Sequence, residues 1–168
     1  MNGAVFVDTN VFVYARDASE KHKQAAAMAW IERLWREQRG RTSMQVLSEY
    51  YVTVTRKLKP GLSRDDAWDD IGSLSAWKPR ATDLELLTAA HEVERRHQLS
   101  WWDALIVAAA QLQNCSLLLT EDLHDGAVIG GLAVMNPFTS KVKEEQPAYG
   151  VAPKSNPRHR RPGRPVRR

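Results

Sequence analysis

The chain reads as an α/β fold with a mainly parallel central sheet and helices on both faces, and three observations carry that reading. First, Ala4–Val7, residues 117–120 and Leu132–Met135 are short continuous apolar runs, the pattern of strands buried on both sides. Second, the stretches between these runs have helical spacing, and long helical connections between strands imply crossovers rather than hairpins. Third, two of the runs deliver an acid at their carboxyl end, Asp8 after the first and Asp122 after the second. Open α/β sheets build their ligand crevices at that edge.

After the first strand, Asp8-Thr9-Asn10 opens a turn. Residues 19–38 place Ala27, Trp30, Ile31, Leu34 and Trp35 on one helical stripe with charges between them, and Gly40 marks the stop. Residues 41–43 are short and extended. In residues 45–58 two periods compete. Val52-Thr53-Val54-Thr55 alternates like a strand, whereas Val46, Tyr50 and Val54 recur at helical intervals. Periodicity leaves both open; the segment is read as a helix ended by Lys59-Pro60-Gly61. Ser63-Arg64-Asp65-Asp66 is a capping box with acids in the first turn, so residues 63–77 form a helix whose acids are structural. Residues 83–97 and 100–113 add two more helices, the second strongly apolar from Ala104 to Ala110 and therefore central. Leu132–Met135, stopped by Asn136-Pro137, is the last strand.

The 168 residues suffice for one domain with a sizeable core. The net charge of +4 is unevenly placed. Residues 141–168 hold nine Lys or Arg against two Glu, a net of +7, which leaves residues 1–140 at 15 minus 18, or −3. Five of the eight prolines lie in that terminal segment with almost no large apolar residue. It is expected to be a disordered basic Pro/Arg-rich tail, either an idle solvated terminus or a salt-sensitive polyanion-binding arm. The longest apolar stretch is far short of the roughly 20 residues that cross a bilayer, and no charged-then-apolar leader precedes Asp8. The expectation is a soluble cytoplasmic protein with no membrane partner. Cys115, the one cysteine, can form no intramolecular disulfide and is assigned no chemistry.

The residues that suggest chemistry are Asp8, Glu49, Asp103 and Asp122. Singly, each has a structural explanation: Asp8 as an Asx-turn, Asp103 in the capping box of Ser100, Glu49 as a solvated helical acid, Asp122 as a cap. Together they are four acids at the mouths of apolar segments with few cationic neighbours in sequence. Burying an unpaired carboxylate costs several kcal/mol. A divalent ion is the natural counter-charge, and oxygen ligands suit Mg²⁺, with Mn²⁺ as the alternative. Without metal such acids should have raised pKa values. Glu121 and Asp125 compete with Asp122 for the fourth position. Thr9, Asn10, Ser43 and Thr120 stand ready to orient ligands or hold phosphate, though turn and cap duties explain them equally. Trp101 and Trp102 offer either base stacking or core packing, with core favoured for at least one. The histidines at 22, 91, 97 and 124 lack metal-ligand spacing.

Asp8-Thr9-Asn10-Val11, then Ser43-Met44-Gln45-Val46-Leu47-Ser48-Glu49, then Ser100-Trp101-Trp102-Asp103-Ala104-Leu105-Ile106, then Leu119-Thr120-Glu121-Asp122-Leu123 together resemble PIN-domain ribonucleases, particularly VapC-type toxins. The likeness covers about residues 4–138 and includes Asn136-Pro137-Phe138. It implies a PIN-like three-layer α/β/α fold over residues 1–140 and a helix carrying Glu49. It also implies metal-dependent hydrolysis of RNA to 5′-phosphate and 3′-hydroxyl ends, with no protein nucleophile. Asp8 and Asp103 would be the principal metal ligands, with Glu49 and Asp122 completing the catalytic pocket. A homodimer and a cognate antitoxin that blocks the site are implied as partners. Two rival readings differ in class: a catalytically silent RNA-binding module on the same scaffold, and a Mg²⁺-dependent phosphohydrolase of small phosphate esters. Against the latter, position 10 is Asn where such enzymes place a second acid.

Overall fold

The computed structural model describes residues 3–139. Its five-stranded sheet is built around β1 (Ala4–Val7), whose Val5, Phe6 and Val7 are all buried. β2 (Gly40–Arg41) lies along one side of β1, and β3 (Cys115–Leu119) along the other, both parallel to it. β5 (Leu132–Met135) runs parallel to β3, and β4 (Val128–Ile129) closes the edge antiparallel to β5. The order β2-β1-β3-β5-β4 sends the chain from β1 first to one side and later to the other. The crevice that this reversal leaves lies at the carboxyl ends of β1 and β3.

The sheet is covered by α1 (Thr9–Arg16), α2 (Lys21–Glu37), α3 (Met44–Val52), α4 (Arg64–Leu74), α5 (Leu84–His97) and α6 (Trp101–Leu112). The expected three-layer α/β/α architecture with a mainly parallel sheet is what the chain adopts. In α6 every residue from Ala104 to Ala110 is buried, as its apolar run requires, and the helix packs against β3 and α5. Both capping boxes form: Ser63 accepts from the Asp66 N–H and Ser100 from the Asp103 N–H. The sheet centre should be the least tolerant place in the molecule. Leu118, fully buried on β3 between two partner strands, is expected to cost about 2–5 kcal/mol when truncated in Leu118→Ala, measured by urea unfolding.

Three elements depart from the expectation. Val11-Phe12-Val13-Tyr14, β-branched and aromatic, gives no helical signal, yet it lies in α1. Asp8 caps that helix, and burial of Val11 and Phe12, the latter against the rings of Tyr50 and Trp77, overrides weak propensity. The doubly periodic stretch after Glu49 is neither strand nor regular α-helix: Thr53–Lys57 is a π-helical segment continuing α3. The β4–β5 hairpin is an addition to the expected elements, although Gly130 and Gly131, both at positive φ, are the residues a tight two-residue hairpin turn requires. Among the described residues no helix is long and apolar enough to cross a membrane. The expected basic tail, residues 141–168, lies outside the described residues.

Candidate active site

Strand register brings the first two site segments together. Val7 pairs with Leu119, so the next residues, Asp8 and Thr120, fall side by side at the carboxyl edge. The Asp8 N–H extends the ladder by donating to the Leu119 carbonyl at 3.0 Å. The Asp8 carboxylate is then held from two sides, accepting from the Thr9 N–H at 2.7 Å and from the fully buried Thr120 hydroxyl at 2.7 Å. The Asn10 amide donates to Asp122 Oδ2 at 3.1 Å and to Thr120 Oγ1 at 3.3 Å, which ties the loop after β3 to the start of α1. Glu49 arrives from α3, positioned after β2 by the Ser43 cap, and accepts from the Thr9 hydroxyl at 3.0 Å and from Gln45 at 2.9 Å. Asp8, Glu49 and Asp122 are thus linked through Thr9, Asn10 and Thr120.

Of the four acids only Asp8 is buried, at 6% exposure; Glu49 and Asp122 are exposed and Asp103 is half-buried. The expectation of four acids in apolar surroundings is corrected accordingly: Val46, Leu47 and Tyr50 pack inward from α3 while Glu49 faces out. For Asp8 the expected pKa shift is present. Burial pushes its carboxyl up to about 6, the bonds from Thr120 and Thr9 oppose that, and the charges of Asp122 and Glu49 reinforce it.

Asp103 behaves differently. Ser100 donates its hydroxyl to Asp103 Oδ2 at 2.7 Å, so this carboxylate takes up the capping role and shares no hydrogen bond with the other acids among the described residues. The three contenders for the fourth acid separate cleanly. Glu121 pairs with Lys23 at 2.8 Å, and Asp125 accepts from the Asn136 N–H at 2.9 Å and the Thr139 hydroxyl at 3.1 Å. Those bonds hold the Asp125 carboxyl below its ordinary range, and Asp122 alone of the three faces the Asp8 network. Trp101 is half-buried against the core, whereas Trp102 is 64% exposed beside Asp103, so the pair divides between core packing and an open aromatic face.

The chemistry of these groups fits a hard divalent cation. None of Asp8, Glu49, Asp103 or Asp122 has an ion-pair partner among the described residues. Asn10 Oδ1 is buried beside them with no hydrogen-bond partner, an oxygen acceptor left over once its amide nitrogen has bonded Asp122 and Thr120. The side chains are not drawn to one point, however: among the described residues no three acidic, His or Cys side chains are grouped to hold an ion. Each acid here accepts from a nearby donor instead: Asp8 from Thr9 and Thr120, Glu49 from Thr9 and Gln45, Asp103 from Ser100 and Asp122 from Asn10. A cavity of about 420 Å³, lined by Phe12, Met28, Ile31 and Trp35 among others, includes none of the four acids.

Comparison with known proteins agrees with this architecture. The family model of the PIN domain matches residues 5–124. No curated protein matches the chain. Among solved structures, a toxin-antitoxin complex from Klebsiella pneumoniae is similar, with a TM-score of 0.57 and 21% sequence identity over 81% of this chain and 98% of that chain. At that identity the likeness speaks for the fold. Because that family model covers well over half of the chain, the chain belongs to the PIN domain family, whose members are generally nucleases and typically use divalent metal ions.

Proposed function

We propose that this protein is a metal-dependent endoribonuclease, the toxin of a toxin-antitoxin pair, acting in the cytoplasm through residues 1–140. One observation supports it above the others: a buried carboxylate, Asp8, at the carboxyl end of the central strand, with Asp122 and Glu49 tethered around it and no cation of the protein's own to neutralise them. Asp8 and Asp103 would be the principal ligands of Mg²⁺ or Mn²⁺, with Glu49 and Asp122 completing the pocket. A bound divalent ion supplies Lewis acidity toward water and a counter-charge for the phosphate oxygens.

The protein's own groups do the positioning. Thr120 and Thr9 fix the plane of the Asp8 carboxylate, so it need not search rotamers. Asn10 holds Asp122 at the rim and keeps a buried Oδ1 acceptor without a hydrogen-bond partner. Thr9 does the same for Glu49. To serve as a ligand Asp103 would have to give up the bond from Ser100, at the cost of about one hydrogen bond, ~1 kcal/mol. No side chain here is required as a covalent nucleophile. The toxin-antitoxin complex of similar fold supports an antitoxin as partner, and a second copy of the chain is proposed as the other.

Incubating the purified protein with single-stranded RNA and with a generic phosphate monoester, each with and without Mg²⁺, tests the reading. RNA cut only with Mg²⁺, giving 5′-phosphate ends, is expected. Monoester turnover with intact RNA would point to the small-ester phosphohydrolase, and RNA binding without cleavage to the silent module.

A further inference from the structure

A pocket this acidic must admit a polyanion, and the surface beside Glu49 shows a route. A second cleft of about 400 Å³, lined by Thr9, Ser48, Glu49, Val52, Thr53 and Lys57, opens there. Thr9 and Glu49 belong also to the acid network, so the cleft borders the acids. Lys57 gives the cleft lining a positive charge, and Arg56 and Lys59 flank Lys57 in sequence. Arg56, Lys57 and Lys59 are all exposed, and none of them has an ion-pair partner among the described residues. Three unpaired cations within four residues stand out where residues 1–140 sum to −3.

The π-helical segment Thr53–Lys57 explains how Lys57 reaches the cleft. In a regular α-helix residue 57 would lie about 80° round the axis from Glu49. A π turn takes one more residue per turn and so rotates Lys57 back toward the face of Glu49 and Thr53, which is where the cleft lining places it. Such insertions are frequent at functional sites. A lysine ammonium, compact and with three donors, suits a backbone phosphate as a point charge.

Resting on the ribonuclease reading, we propose that this cleft carries the RNA strand beyond the scissile bond and that Lys57 binds a phosphate flanking the one that is cut. The contact is to backbone and therefore independent of base sequence. Steady-state cleavage of a labelled single-stranded RNA of mixed sequence by the full chain with Mg²⁺, at several salt concentrations, tests it. For Lys57→Gln, KM is expected to rise about tenfold with kcat within about twofold. The dependence of log affinity on log salt should fall by about 0.7, one single-strand phosphate. Lys57→Arg, which keeps the charge, should remain near wild type. Wild-type cleavage together with an unchanged KM and salt slope in Lys57→Gln overturns this inference alone. Lys57→Arg as impaired as Lys57→Gln overturns it too, by making the effect one of packing. A wild-type protein that neither binds nor cuts RNA removes the ribonuclease reading and this inference with it.

Discussion

Asp8→Asn is expected to lower RNA cleavage by on the order of a thousandfold and, in the same molecule, to stabilise the metal-free fold at neutral pH. The first effect follows from losing a ligand whose metal contributes several kcal/mol to the transition state, at about 1.4 kcal/mol per factor of ten. The second has a worked sign. The Asp8 carboxyl moves from 3.8 to about 6 on folding, so the native state holds its proton more tightly than the unfolded chain. That preference stabilises the native state fully below pH 3.8 and is lost as pH rises through about 6. The loss amounts to about 3 kcal/mol for a shift of this size. Asn carries no such dependence. Urea unfolding in EDTA should therefore show Asp8→Asn gaining on wild type by about 2–3 kcal/mol between pH 4 and pH 8. A variant that is both inactive and destabilised would mark Asp8 as structural. One that cleaves RNA at the wild-type rate would remove it from the site.

Withdrawing divalent metal from the wild-type protein is the second large effect. Cleavage is expected to disappear in EDTA and RNA affinity to fall, because phosphate would then face Glu49, Asp8 and Asp122 with no counter-charge between them. Restoring Mg²⁺ should recover both and raise the unfolding free energy, by about 2.7 kcal/mol when the ion is at a hundred times its dissociation constant. The recovery in stability should be absent in Asp8→Asn. Cleavage that survives EDTA would show that the acids serve something other than a metal.

Much of this site is legible along the chain because strand ends are. An apolar run followed by an acid fixes the acid at a sheet edge, and parallel pairing of two such runs then makes Asp8 and Thr120 neighbours. The capping boxes at Ser63 and Ser100 are local and legible for the same reason. Exposure is not. Glu49 lies among Val46, Leu47 and Tyr50 in sequence, but a helix turns its neighbours away from it, and only the packed fold shows which face is outward. The conflicting periods after Glu49 are a real signal whose solution, a π-helical segment, lies outside the usual choice between strand and α-helix. It is this segment that turns Lys57 toward Glu49. The helix at Val11 and Phe12 is hidden because long-range burial, not propensity, makes it. Choosing Asp122 over Glu121 and Asp125 takes the partners of the other two, Lys23 and the Asn136 amide.

Asp103 carries the greatest weight in the metal assignment, since its carboxylate faces Ser100 in the structure and would have to leave it for the ion. Anomalous diffraction from crystals grown with Mn²⁺ reads that directly. One Mn²⁺ peak within coordinating distance of Asp8 and Asp103 oxygens, with the Ser100 hydroxyl released, is the predicted result. A peak elsewhere, or none at millimolar Mn²⁺ with Asp103 still bonded to Ser100, would contradict a shared metal at the ends of β1 and α6.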